Sequence, residues 1–103
     1  MHPDLLSKSE ALAALCRAYG VARLELFGSA ARGHDFNPQT SDFDFLVEFQ
    51  REPVMSPLTQ FFGLAEELEA LLGRHVDLVE ARSVKNPFVQ ASINQSRTLV
   101  FGM

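Results

Sequence analysis

Leu26-Phe27-Gly28-Ser29-Ala30-Ala31-Arg32-Gly33 and, a few residues on, Ser41-Asp42-Phe43-Asp44-Phe45-Leu46-Val47-Glu48-Phe49 are the stretches that decide how this chain folds. Upstream of Gly28, Val21 to Phe27 sets Leu24 and Leu26 against Arg23 and Glu25. Such alternation predicts a strand with one buried face. Gly28 and Ser29 end it, and Gly33 to Thr40, with Gly, Asp, Asn and Pro38, reads as loop. Phe43 to Phe49 is apolar and β-prone, a second strand. Residues two apart on a strand share a face, so Asp42 and Asp44 point one way, with Cα atoms about 6–7 Å apart, while Phe43 and Phe45 point to the core.

Outward from these strands the helical and extended patterns alternate. Ser7-Lys8-Ser9-Glu10 has the form of a capping box, and Leu12, Leu15, Cys16 and Tyr19 follow at helical spacing up to Gly20. A helix from about Ser7 to Tyr19 is expected, with Cys16 a buried thiol on its apolar stripe. Leu58, Phe61, Phe62, Ala65, Leu68 and Leu72 mark a second amphipathic helix that stops at Gly73. Val76 to Val79 is a short third strand containing Asp77. Asn86-Pro87 has the pattern of an N-cap and first helical residue, which opens a last helix to about Ser96. Leu99 to Phe101 adds an edge strand. The order predicts an α/β (α+β) domain: a small mixed sheet of three or four strands with helices packed on one face.

A chain of 103 residues, 47% hydrophobic and 21% charged, is expected to be one domain, 1–103, with a small core. Its apolar runs are too short to cross a membrane and its N-terminus has no signal-peptide pattern. One cysteine allows no internal disulfide. A cytoplasmic protein fits. The formal net charge is -4 and the 9 Lys and Arg are scattered, so a nucleic-acid acceptor is disfavoured.

The chemistry concentrates around the two opening stretches. A strand running into Gly28-Ser29 and a short helical turn offers close backbone approach and free N–H groups to an anion. Arg32 adds a permanent positive charge. Taken alone, such a turn is more often just a turn. Asp42 and Asp44 repel one another unless a cation sits between them, and hard oxygen ligands of this kind suit Mg²⁺. Taken alone, the pair is more often a solvated strand end. Asp77, acid on one face with Val76 and Leu78 on the other, repeats the pattern. If its strand neighbours the second, three carboxylates converge in the layout of two-metal phosphoryl transfer.

Gly28-Ser29, then twelve residues, then Asp42-Phe43-Asp44-Phe45 resembles the signature of the DNA polymerase β-like nucleotidyltransferase superfamily. Within it, the longer strings quoted above, with Leu71-Leu72-Gly73-Arg74-His75-Val76-Asp77-Leu78-Val79, resemble the minimal nucleotidyltransferases of bacteria and archaea. The likeness covers roughly Val21 to Glu80. It implies that Gly28 and Ser29 bind the triphosphate tail. Asp42 and Asp44 would hold two Mg²⁺ ions, and Asp77 would complete the metal site and help to deprotonate an acceptor hydroxyl. Arg32 matches the pattern as a nucleotide-binding residue or as a brace for the loop. The loop from His34 to Thr40 is slightly long for the subgroup. A solvated role is favoured for His34, and His75 reads as structural.

Minimal members typically stand beside a small helical HEPN protein, an RNase toxin. The resemblance therefore implies an antitoxin that moves AMP from ATP to a hydroxyl of that toxin. A non-catalytic module that neutralises by contact is the second reading, and nucleotide transfer to a small molecule the third. Among the nine phenylalanines, Phe36 and Phe88 fall in or near expected loops and are candidate partner contacts. Pairing with a second copy is also compatible with a domain of this size.

Overall fold

The structure is a computed structural model that describes residues 3–28, 43–51 and 55–102. Among the described residues four helices and four strands follow one another: α1 (Pro3–Ser7), α2 (Ser9–Ala18), β1 (Val21–Phe27), β2 (Phe43–Phe49), α3 (Pro57–Leu72), β3 (Val76–Glu80), α4 (Pro87–Ser96) and β4 (Thr98–Phe101). A 3-10 turn, Ala81–Ser83, links β3 to α4. The expected loop Gly33 to Thr40 lies outside the described residues.

The strands form one mixed sheet in the order β3-β2-β1-β4. β1 runs antiparallel to both neighbours, and β2 and β3 run parallel, joined by α3 as the crossover. Phe43, Phe45 and Val47 of β2 project from one face with Leu24, Leu26 and Val76 of the neighbouring strands, and all are buried with Leu12, Cys16, Leu64 and Leu68. Each such side chain contributes about 1.5–3 kcal/mol by leaving water. This face carries α1 to α3. The last helix, α4, departs from the expectation of helices on one face: it lies over the opposite face, where its Ile93 is buried beside Leu46 of β2.

Local signals place most boundaries. Ser56 caps α3 by accepting from Thr59 N–H at 3.3 Å, Pro57 takes the first helical position, and Gly73 closes the helix in the left-handed region. Asn86 Oδ1 accepts from Phe88 N–H at 2.9 Å to open α4.

Three local readings differ from expectation. Ser7 is the last residue of α1 rather than a cap: Leu5 is fully buried, which anchors a helical turn ahead of α2, and Lys8 stands at the N-cap without a side-chain cap bond. The inward stripe of α3 is Gln60, Leu64, Leu68 and Leu72, while Leu58 and Phe62 are exposed. Gln60 turns inward because its Nε2 donates to the Tyr19 carbonyl at 2.8 Å. Close packing helps, since a Cβ on Gly63 would lie 2.8 Å from the Tyr19 ring.

The third difference is Glu25, expected on a solvated face but only 3% exposed. Its carboxylate accepts from Arg97 Nε at 2.7 Å, from a second Arg97 nitrogen, and from Arg23 Nε at 3.0 Å. The Arg97 guanidinium holds the Glu25 carboxyl below the usual carboxylate range, against the opposing effect of burial. The clamp ties β1 to the turn between α4 and β4.

Candidate active site

β1 ends at Phe27, and Gly28 turns the chain at φ +75. Phe27 pairs across the sheet with Asp44, so the turn starts against that acid. A Cβ on Gly28 would overlap Asp44 Oδ2 and would lie 3.3 Å from Asp44 Cγ. The backbone of the turn thus approaches the carboxylate more closely than any other residue type allows.

On the other side of β2, Asp44 is the register partner of Asp77 on β3. Parallel neighbours stand about 4.8 Å apart and share a face. Both acids project from the face opposite Phe43, Phe45 and Val76. A cation between two acids on one face is attracted to both. The donor set, hard oxygens on two rigid strands, fits Mg²⁺. Among the described residues no group of three His, Cys, Asp or Glu side chains is arranged to hold a metal ion. The expected third ligand, Asp42, lies outside the described residues, as do Ser29 and Arg32.

Asp77 is about half exposed and has a neighbour that sequence reasoning treated as structural. His75 Nε2 stands 3.1 Å from Asp77 Oδ1, and its Nδ1 stands 3.0 Å from Glu69 Oε2. Glu69 is itself fixed by accepting from Val76 N–H at 3.1 Å. The ring therefore links α3 to the acid. Arg74, next in the turn, lies over the Phe43 ring at 5.3 Å. The spacing His75-x-Asp77 was visible in the sequence, but the contribution of Glu69 depends on how α3 folds back onto β3.

Cys16 takes no part in the site. It is buried in the core, and burial pushes its thiol up to about 12. It is a packing residue, as expected.

Residues 8–100 match the family described as the nucleotidyltransferase domain. The chain belongs to that family. This nucleotidyltransferase is 39% identical over 77 residues to the protein adenylyltransferase MntA of Thermococcus cleftensis, covering 75% of the present chain and 73% of the relative. A protein of Methanocaldococcus jannaschii, provisionally described as a protein adenylyltransferase, is 40% identical over 94 residues, covering 89% and 87% of the two chains. A solved structure provisionally described as a minimal nucleotidyltransferase aligns with TM-score 0.74 at 32% identity, over 95% of each chain. A toxin–antitoxin complex with AMP-PNP shares the fold, with TM-score 0.69 at 23% identity, over 92% of this chain and 73% of that one. The nucleotidyltransferase is an enzyme with the mixed sheet and flanking helices expected of it. No helix among the described residues is long and apolar enough to cross a membrane.

Proposed function

We propose that this nucleotidyltransferase transfers AMP from ATP to a hydroxyl of a HEPN-type toxin and thereby neutralises it. The observation that carries the reading is the contact of Gly28 with Asp44, with Asp77 in register beside them. A glycine backbone that a phosphate can approach closely, beside an acid pair suited to a cation, supports this reading. The names of relatives add to it: an adenylyltransferase, and a solved toxin–antitoxin complex containing an ATP analogue.

In this reading Gly28 and Ser29 cradle the triphosphate tail and Arg32 adds charge to it. Asp42, Asp44 and Asp77 would hold two Mg²⁺ ions, which when bound supply charge neutralisation at the phosphates. Asp77, the more exposed of the described acids, takes the proton from the acceptor hydroxyl. The acceptor oxygen forms a bond to the α-phosphorus, the bond from that phosphorus to the bridging oxygen breaks, and pyrophosphate leaves. Glu69 and His75 keep Asp77 in place while this occurs. The single domain, 1–103, works in the cytoplasm alongside the toxin.

The test is to incubate the protein with Mg²⁺, α-labelled ATP and the protein encoded by the neighbouring gene. Label and a mass increase on that partner, both lost with Asp44→Ala, are expected. A stable, inhibited complex without label would replace the enzyme reading with neutralisation by contact. The exposure of Leu58, Phe62 and Phe88 gives that second reading its one structural support. Phe36, the other aromatic considered as a contact, lies outside the described residues.

A further inference from the structure

The sheet face that carries Asp44 and Asp77 also holds a cavity of about 260 Å³ beneath α4. Its floor is Leu46, two residues beyond Asp44 on the same face of β2, so it begins about 6–7 Å from the acid. Ile93 covers it from α4, and Val84 forms a wall. Pockets for drug-sized ligands span about 300–1,000 Å³. A cavity just below that range suits one flat ring system and leaves sugar and phosphates outside.

Two amides stand among these apolar side chains, and each has one half engaged. Gln90 Nε2 donates to the Val84 carbonyl at 2.9 Å, which leaves Oε1 as an acceptor. Asn94 Oδ1 accepts from Arg97 at 2.8 Å, which leaves Nδ2 as a donor. Arg97, at the cavity margin, is occupied by Glu25 and Asn94. The cavity thus presents one acceptor and one donor of fixed polarity beside Ala81 and Val84. Its described lining has no carboxylate.

We propose that this cavity seats the adenine ring of the nucleotide. The exocyclic amino group donates to Gln90 Oε1, an adjacent ring nitrogen accepts from Asn94 Nδ2, and the partly exposed Ala81 and Val84 bear on the ring. Guanine would set its O6 acceptor against the Gln90 acceptor, and its N1–H and amino group would meet no carboxylate. The inference rests on the nucleotidyl-transfer reading and assigns the base that reading uses.

The experiment measures dissociation constants of the intact protein with Mg²⁺ for ATP, GTP and pyrophosphate by calorimetry. Wild type is expected to prefer ATP over GTP by about tenfold or more, the usual worth of a paired amide contact to adenine. Gln90→Ala with Asn94→Ala should erase that preference and leave pyrophosphate binding unchanged. Val84→Trp, which fills the cavity from its wall, should weaken ATP about tenfold with pyrophosphate again unchanged, in a protein whose melting temperature shows it folded. Wild type that binds pyrophosphate and both triphosphates without preference overturns the base pocket and leaves the transfer reading standing. Unchanged ATP affinity in both variants does the same. Wild type that binds none of the three overturns both.

Discussion

Replacing Gly28 by Ala separates two effects that the structure joins at one residue. The first is conformational. Gly28 sits at φ +75, where an L-residue with a Cβ costs about 1–2 kcal/mol. Alanine recovers about 0.4–1 kcal/mol of that by restricting the unfolded chain. The net loss is about 1 kcal/mol, or about 4–8 °C in melting temperature for a chain of this size. The second effect is local. The new Cβ would overlap Asp44 Oδ2, so the carboxylate must move by about 1 Å to regain ordinary contact distance. A misplacement of that size near reacting groups costs about 100-fold in rate. Gly73 provides the control: its φ is +71, but a Cβ there meets nothing within 4 Å. Gly73→Ala should lose the same stability and keep its transfer rate. Calorimetric melting and initial rates of AMP transfer at saturating ATP distinguish the two variants. Equal rates in Gly28→Ala and Gly73→Ala would refute the claim that the glycine exists to let the turn approach the acid.

Arg97→Ala should destabilise the fold by about 2–3 kcal/mol in urea melts, below the full value for a broken buried pair because Arg97 is partly exposed and Arg23 stays beside Glu25. The same clamp sets a pH dependence. The folded-state pKa of Glu25 lies below its ordinary value, so its contribution is complete above the ordinary carboxylate range and is lost as pH falls through the folded-state value. Between pH 6 and pH 3, wild type should therefore lose more stability than Glu25→Gln; parallel melting curves would count against the clamp. His75→Ala is expected to lower the transfer rate about tenfold, as loss of an orienting neighbour commonly does, with partial recovery in His75→Gln and a melting temperature close to wild type. A wild-type rate in His75→Ala would show that Asp77 needs no such support. The Cys16 thiol, at about 12 and buried, should resist thiol reagents at pH 8 until the protein is unfolded. Rapid labelling of the native protein would contradict its place in the core.

Much of the architecture was legible because neighbouring residues determine it. Gly73 ends α3 and Asn86-Pro87 opens α4 by their own capping chemistry, and the alternation of Phe43, Phe45 and Val47 sets the inward face of β2. The readings that failed depend on partners distant in the chain. Nothing near Ser7 signals that Leu5 will be buried. Nothing near Gln60 signals that the Tyr19 carbonyl awaits it, and Glu25 gave no local sign of Arg97, 72 residues away. The same division runs through the site. Gly28, Asp44 and Asp77 stood out by residue type and spacing, and the register of β1, β2 and β3 brings them together. The Glu69–His75 support arises from the turn between α3 and β3, and a sequence pattern carries no direct record of it.

The parallel register of β2 with β3 has a consequence for how such a site can change over time. The separation of Asp44 from Asp77 is a property of the backbone ladder, so substitutions in the surrounding side chains leave it untouched. It can alter only in whole steps. One residue gained or lost in the turn from Gly73 to His75, if absorbed by a slip of β3, would send Asp77 to the other side of the sheet. Cradle, acceptor surface and partner can drift by degrees around this spacing, whereas the spacing itself is inherited intact or lost in one event.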